Sequence, residues 1–116
     1  MRVAIIDYGA GNTQSVKYAL KRLGCEGVLT SDKEVISSSD KVIFPGVGQA
    51  SSAMKKLKSK SLDVFIPNLK QPVLGICLGM QLMCNFSEEG DVDCLKIFDS
   101  NVKRFNNLLK VPQIGW

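Results

Sequence analysis

The chain has no histidine among its 116 residues. No imidazole is therefore available within it as a general base, and the usual histidine-bearing zinc sites are excluded. Its four cysteines, Cys25, Cys77, Cys84 and Cys94, form no C-x-x-C pair. That spacing argues against a zinc site and for independent, reduced thiols in a cytosolic chain. Long apolar runs are missing too. The opening Met1-Arg2-Val3-Ala4-Ile5-Ile6-Asp7 is too short for a signal peptide and is ended by an acid. No stretch approaches the roughly 18 apolar residues that span a membrane. The expectation is a soluble, cytoplasmic protein with no membrane partner. Charge of one sign is also scarce: 15 basic and 11 acidic residues leave +4, which does not point to nucleic acid. The one basic run, Lys55, Lys56, Lys58 and Lys60, reads as a solvated helix face, with docking on an acidic partner as the alternative. There is no G-x-x-x-x-G-K-[ST], no G-x-G-x-x-G opening a helix after the first strand, no internal repeat and no low-complexity tract.

What is present is a hydrophobic fraction of 45%, ample for one buried core. Val3 to Ile6 is a β-branched apolar run, as expected of a strand covered on both faces. Tyr8 to Asn12 follows as a turn, with Asn12 or Thr13 able to cap a helix. In that helix Val16, Ala19, Leu20 and Leu23 form one stripe, and Gly24 stops it. Gly27 to Thr30 reads as a weaker second strand, and Ser31 to Ser39 as polar with a helical turn near Glu34 to Ile36. Val42 to Phe44 is a third strand ended by Pro45. Ala50, Ala53, Met54 and Leu57 repeat the helical stripe, and Leu62 to Leu69 continues it with an interruption at Pro67. Pro72 to Ile76 is a fourth strand and Leu78 to Cys84 an apolar helix. Leu95 to Phe98 and Asn101 to Phe105 are candidate short strands. The alternation predicts an α/β fold, an open and mostly parallel sheet with helices on both faces. Val111 to Trp116 reads as the approach to a further strand, so residues 1–116 are expected to be the N-terminal part of a single domain, truncated, with a sheet edge prone to association.

Gly75-Ile76-Cys77-Leu78-Gly79 has the form G-x-C-x-G at a strand-to-helix junction, the thiol analogue of the nucleophile elbow. A sharp turn there presents Cys77 at the carboxyl end of the strand. The flanking glycines let neighbouring backbone pass, the helix start faces the sulfur, and the Leu78 N–H is expected to be free for an oxyanion. A small buried core cysteine is the plain alternative. Pro45-Gly46-Val47-Gly48 follows the third strand, at the carboxyl edge where doubly wound sheets bind ligands. Gly46 and Gly48 on either side permit a mobile peptide that aims the Val47 N–H at developing negative charge; the alternative is an ordinary Pro-Gly turn. Cys25, Cys84 and Cys94 lack this context and read as structural. Glu88 and Glu89 are adjacent and read as surface or capping residues.

Phe44-Pro45-Gly46-Val47-Gly48 together with Pro72 to Gln81 closely resembles the class I glutamine amidotransferases, and among them the glutaminase subunits of imidazole glycerol phosphate synthase. Ile5 to Asn12, Ser87-Glu88-Glu89 and Pro112 to Trp116 are similar to the same branch, so the resemblance runs along the whole chain. It implies that Cys77 attacks the side-chain amide of glutamine, that Gly46, Val47, Gly48 and Leu78 form the oxyanion hole, and that Gln81 helps to hold the substrate. It implies no cofactor and no metal. The implied partner is a cyclase with a (β/α)₈ barrel in histidine biosynthesis, which receives the ammonia, with Asn12 and Trp116 in partner-facing segments. The family's triad also takes a His and a Glu from a later segment. A positioned base typically contributes about 10²- to 10⁴-fold, so this chain alone is expected to be nearly inert. Gln113 stands where the family commonly has His, which suits a glutaminase serving a different synthase. Two further readings stand beside this one: a catalytically incomplete module that only binds a synthase partner, and a cysteine hydrolase of another kind, which the Met80-Gln81 continuation disfavours.

Overall fold

A computed structural model describes residues 1–106 and 108. Four strands form the main sheet: β1 (Arg2–Ile6), β2 (Glu26–Thr30), β3 (Lys41–Phe44) and β4 (Val73–Gly75). Their order is β2-β1-β3-β4 and every pairing is parallel. The order reverses direction between β1 and β3. The carboxyl ends of those two strands therefore flank a topological switch point, where open α/β sheets form their ligand crevice.

The helices divide between the two faces, as expected. Helix α1 (Thr13–Arg22) packs Leu20 and the half-buried Val16 on Val3, Ile5 and Ile43. Asn12 caps it, its side-chain oxygen accepting from the Ser15 N–H at 3.3 Å. The expected stripe is only partly realised: Val16 and Ala19 are half-buried and Leu23 is 76% exposed. Leu23 lies beyond the last helical residue, where the chain turns away at Gly24 with φ +74°. Helix α1 leaves the β3–β4 half of its face as an apolar groove lined by Val3, Ile43, Val73 and Leu74.

The opposite face holds the main core. Ala4, Ile6, Val42 and Phe44 of the sheet meet Ile36 of α2 (Lys33–Ser38) and Ala53, Met54 and Leu57 of α3 (Ala50–Ser59). Leu62 of α4 (Leu62–Phe65) and Leu78 and Leu82 of α5 (Leu78–Leu82) complete it. The polar stretch before β3 folds as α2 because Asp32 caps it, accepting from the Glu34 N–H at 2.9 Å. After α4 the chain tightens into a 3₁₀ turn, Ile66–Asn68, at the residue Pro67 that breaks the helical pattern. Lysines 55, 58 and 60 of the basic run are solvated, but the Lys56 ammonium donates to the Gly9 carbonyl at 3.0 Å.

A second, small sheet joins β5 (Phe86–Ser87), β6 (Val92–Asp93) and β7 (Asn101–Val102) in the order β6-β5-β7. Leu95 to Phe98, read above as a strand, is not one. Its N–H groups are taken by the end of α5 and the residues after it: Leu95 donates to Leu82, Lys96 to Cys84, and both Ile97 and Phe98 to Met83. A helix end with unsatisfied carbonyls claims nearby donors, and it does so here ahead of any sheet.

Leu57 is fully buried between α3 and the sheet, whereas its neighbour Lys58 faces water. Leu57→Ala is expected to lower the unfolding free energy by about 2–5 kcal/mol and Lys58→Ala to change it by less than about 0.5 kcal/mol, as measured by urea denaturation of each purified variant.

Candidate active site

From the last residue of β3 onward the backbone carries three consecutive carbonyls that are each held by a hydrogen bond. Phe44 accepts from the Ile76 N–H at 3.0 Å and Gly46 from the Leu78 N–H at 3.2 Å, both on the side of the elbow. Between them Pro45 accepts from the Tyr8 hydroxyl at 2.7 Å. The Phe44 and Gly46 bonds stitch the 45–48 loop to the turn that carries Cys77.

Cys77 takes φ 54° and ψ −121°, a left-handed conformation unusual for a residue with a side chain. Such a conformation costs about 1–3 kcal/mol and persists only where its surroundings enforce it. The enforcement comes from both sides. Gly79 lies so close to β3 that a Cβ there would overlap the Phe44 carbonyl. Gly46 is equally enclosed: its Cβ would meet the Tyr8 hydroxyl at 2.6 Å and the Gly79 nitrogen at 2.8 Å. With the first turn of α5 pressed onto β3, the residue before it can only project outward. Cys77 is exposed, while Leu78 and Gly79, which open the first turn of α5, are buried.

The other thiols differ. Cys25 and Cys84 are half-buried and Cys94 is buried. Burial, and then the neighbouring Cys84 and Asp93, push the Cys94 thiol above its ordinary value. Among the described residues no group of three or more His, Cys, Asp or Glu side chains is placed to hold a metal.

The geometry departs from expectation at the oxyanion donor. The Leu78 N–H is not free: the Gly46 carbonyl occupies it. The physical reason is that this N–H sits in the first turn of a helix and needs an acceptor, and the adjacent loop supplies one. Val47 is 58% exposed, and the following Gly48 has φ +102°.

One helical turn from Cys77, Gln81 lines a cavity of about 400 Å³ with Glu88, Glu89, Val102, Lys103, Arg104 and Phe105. The two glutamates are exposed, in keeping with the surface reading above, and lie in the turn after β5, where they also line this cavity. Glu88 accepts from the Arg104 N–H at 2.7 Å and so closes the cavity wall. The Glu89 N–H is held by the buried Ser87 hydroxyl at 3.1 Å. Only the adjacency of acids downstream of the nucleophile helix hinted at this in the sequence; the fold that brings residues 102–105 opposite them did not show. Asn12 is exposed and its observed role is the α1 cap. Trp116 and Gln113 lie outside the described residues.

The family model described as glutamine amidotransferase class-I matches residues 4–110. An imidazole glycerol phosphate synthase subunit HisH from Bacteroides fragilis (strain YCH46) is 65% identical, aligned with 100% of this chain and 61% of its own length. The subunit of the same name from Idiomarina loihiensis is 48% identical, with 100% and 60% covered. This chain thus spans about three fifths of the length of the curated relatives it matches. Among solved structures, a crystal structure of a glutamine amidotransferase superposes with a TM-score of 0.71 at 20% identity, covering 85% of this chain and 54% of that one, which supports the fold. With the family model spanning both the 45–48 loop and the Cys77 elbow, the chain belongs to the class-I glutamine amidotransferase family.

Proposed function

We propose that the chain carries the nucleophile half of a glutaminase site, in a subunit that supplies ammonia to imidazole glycerol phosphate synthase. The observation that carries this reading is Cys77, exposed in a left-handed conformation at the end of β4 and stitched to the 45–48 loop. The Cys77 sulfur attacks the carboxamide carbon of glutamine, and the carbonyl oxygen becomes an oxyanion. Collapse expels ammonia and leaves a thioester, which water hydrolyses to glutamate and the free thiol.

The oxyanion is received by the N–H groups of Val47 and Leu78. Both become available in one motion. Rotating the Gly46–Val47 peptide withdraws the Gly46 carbonyl from the Leu78 N–H and turns the Val47 N–H inward, a change taken up by ψ of Gly46 and φ of Val47, with Gly46 and Gly48 keeping the flanking backbone free of a Cβ. Gln81 orients the substrate side chain. Glu89 suits the α-ammonium of glutamine, and Lys103 and Arg104 suit its α-carboxylate, which matches a zwitterion lying in the cavity. The general base and its orienting carboxylate come from outside these 116 residues. The ammonia acceptor is a (β/α)₈-barrel cyclase that docks on the segments containing Asn12 and Trp116, and the site works in the cytoplasm without cofactor or metal.

The chloromethyl ketone analogue of glutamine tests the nucleophile. The thiolate adds to the ketone, whose oxygen becomes an oxyanion, and the adduct then expels chloride and rearranges to a thioether; peptide mapping is expected to place the label on Cys77 and on no other thiol. Saturable labelling that survives Cys77→Ser would sink the assignment. Glu89→Gln is expected to raise the half-saturating analogue concentration about tenfold, the scale of one charge-assisted hydrogen bond, with little change in the maximal labelling rate.

A further inference from the structure

Tyr8 follows β1 directly, and its side chain turns inward between the carboxyl ends of β1 and β3. It is 1% exposed, and its ring packs on Phe44 with centroids 5.5 Å apart. Its hydroxyl donates to the Pro45 carbonyl at 2.7 Å. The Phe44 and Gly46 carbonyls on either side of it accept from Ile76 and Leu78 of the elbow. The elbow therefore holds the loop at Phe44 and Gly46, and Tyr8 holds it in between. Burial pushes the phenol up to about 12, so the group remains a protonated donor throughout the neutral range.

The motion assigned above to the Gly46–Val47 peptide releases one of those three anchors, the Gly46 carbonyl. If the Pro45–Gly46 peptide were released with it, the Val47 N–H would arrive in no defined direction. We propose that Tyr8 is a positioning residue for the oxyanion loop: its hydroxyl pins the Pro45 carbonyl, so that rotation is confined to the peptide between Gly46 and Gly48. This rests on the glutaminase reading for its catalytic meaning. The anchoring itself is a property of the loop and is measurable without turnover.

Tyr8→Phe keeps the ring and its packing on Phe44 and removes only the donor. The maximal rate of Cys77 labelling by the chloromethyl ketone analogue is expected to fall about tenfold, less than the loss of an oxyanion donor itself. Half-saturation and the iodoacetamide rate, which needs no oxyanion, are expected to stay within about twofold. Replacing Tyr8 with 4-aminophenylalanine, which retains a donor, restores the rate; 4-fluorophenylalanine, which fills the volume without one, does not, and this pair decides the matter if Tyr8→Phe fails to fold. An unchanged maximal rate in a folded variant, or an equal fall in both reagents, overturns the proposal. If the unsubstituted full-length protein, with the segment that supplies the base, shows no saturable labelling, the glutaminase reading is what fails. Amide hydrogen exchange then judges the anchor. Without the Tyr8 hydroxyl, exchange at Leu78 is expected to rise about tenfold while Ile76 stays protected, and equal exchange at Leu78 would refute the anchoring role.

Discussion

The site depends on one backbone-to-backbone contact, the pressing of Gly79 against the Phe44 carbonyl. No side chain fits between them. That contact sets how close the first turn of α5 comes to the end of β3, and the closeness forces the strained backbone of Cys77. Strain of this kind is sustained by the core beneath it. Phe44, Leu78 and Leu82 are all buried in the same cluster, so relaxing the elbow would open packed apolar surface to water. The outward thiol is thus a consequence of the burial of Leu78 and Gly79 directly after it.

The switch point between β1 and β3 determines what else can reach the sulfur. Two loops leave the sheet there, residues 7–12 after β1 and 45–49 after β3, and they pack on each other. Gly11 has φ +105°, and a Cβ there would lie 3.1 Å from the Pro45 side chain. Lys56 adds a tie from α3 to the Gly9 carbonyl. The loop over the nucleophile is therefore backed by the loop after β1, and Tyr8 belongs to both by its chain position and by its hydrogen bond. In the proposed glutaminase the α-amino acid portion of the substrate lies on the other side of α5, where the small sheet brings Glu89 opposite Lys103 and Arg104.

Much of this was legible in residues whose signal is local. Val3 to Ile6 could only be a buried strand, and G-x-C-x-G between an apolar run and an apolar helix specifies the elbow. Asn12 announces its helix because a cap acts over three residues. The features that were not legible depend on contacts distant in sequence. Leu95 to Phe98 has a strand-like composition, but the carbonyls at and after the end of α5 take its donors. Leu23 fits the helical stripe, yet the helix stops before it. Glu89 becomes a cavity residue only because β7 returns beside β5 and carries residues 103–105 to it. The occupied Leu78 N–H was also beyond sequence reasoning, since either orientation of the Gly46–Val47 peptide satisfies the same residues.

That occupied donor has an energetic logic. An empty site with two N–H groups aimed at nothing would leave donors unsatisfied, at about 1–3 kcal/mol for each one shielded from water. The Gly46 carbonyl removes that cost at Leu78 by supplying an acceptor from within the loop. A neutral carboxamide oxygen offers a hydrogen bond of the same strength as the one it would replace, so it has little power to turn the peptide. An oxyanion accepts roughly twice as strongly. In the proposed reaction the exchange becomes favourable as negative charge develops, so the loop's stabilisation is directed to the transition state more than to bound glutamine. This requires the rotating peptide to have few stable orientations, and fixed backbone on both sides of it limits them: the Phe44 and Pro45 carbonyls before the loop, and the packed start of α3 at the buried Ala50 after it.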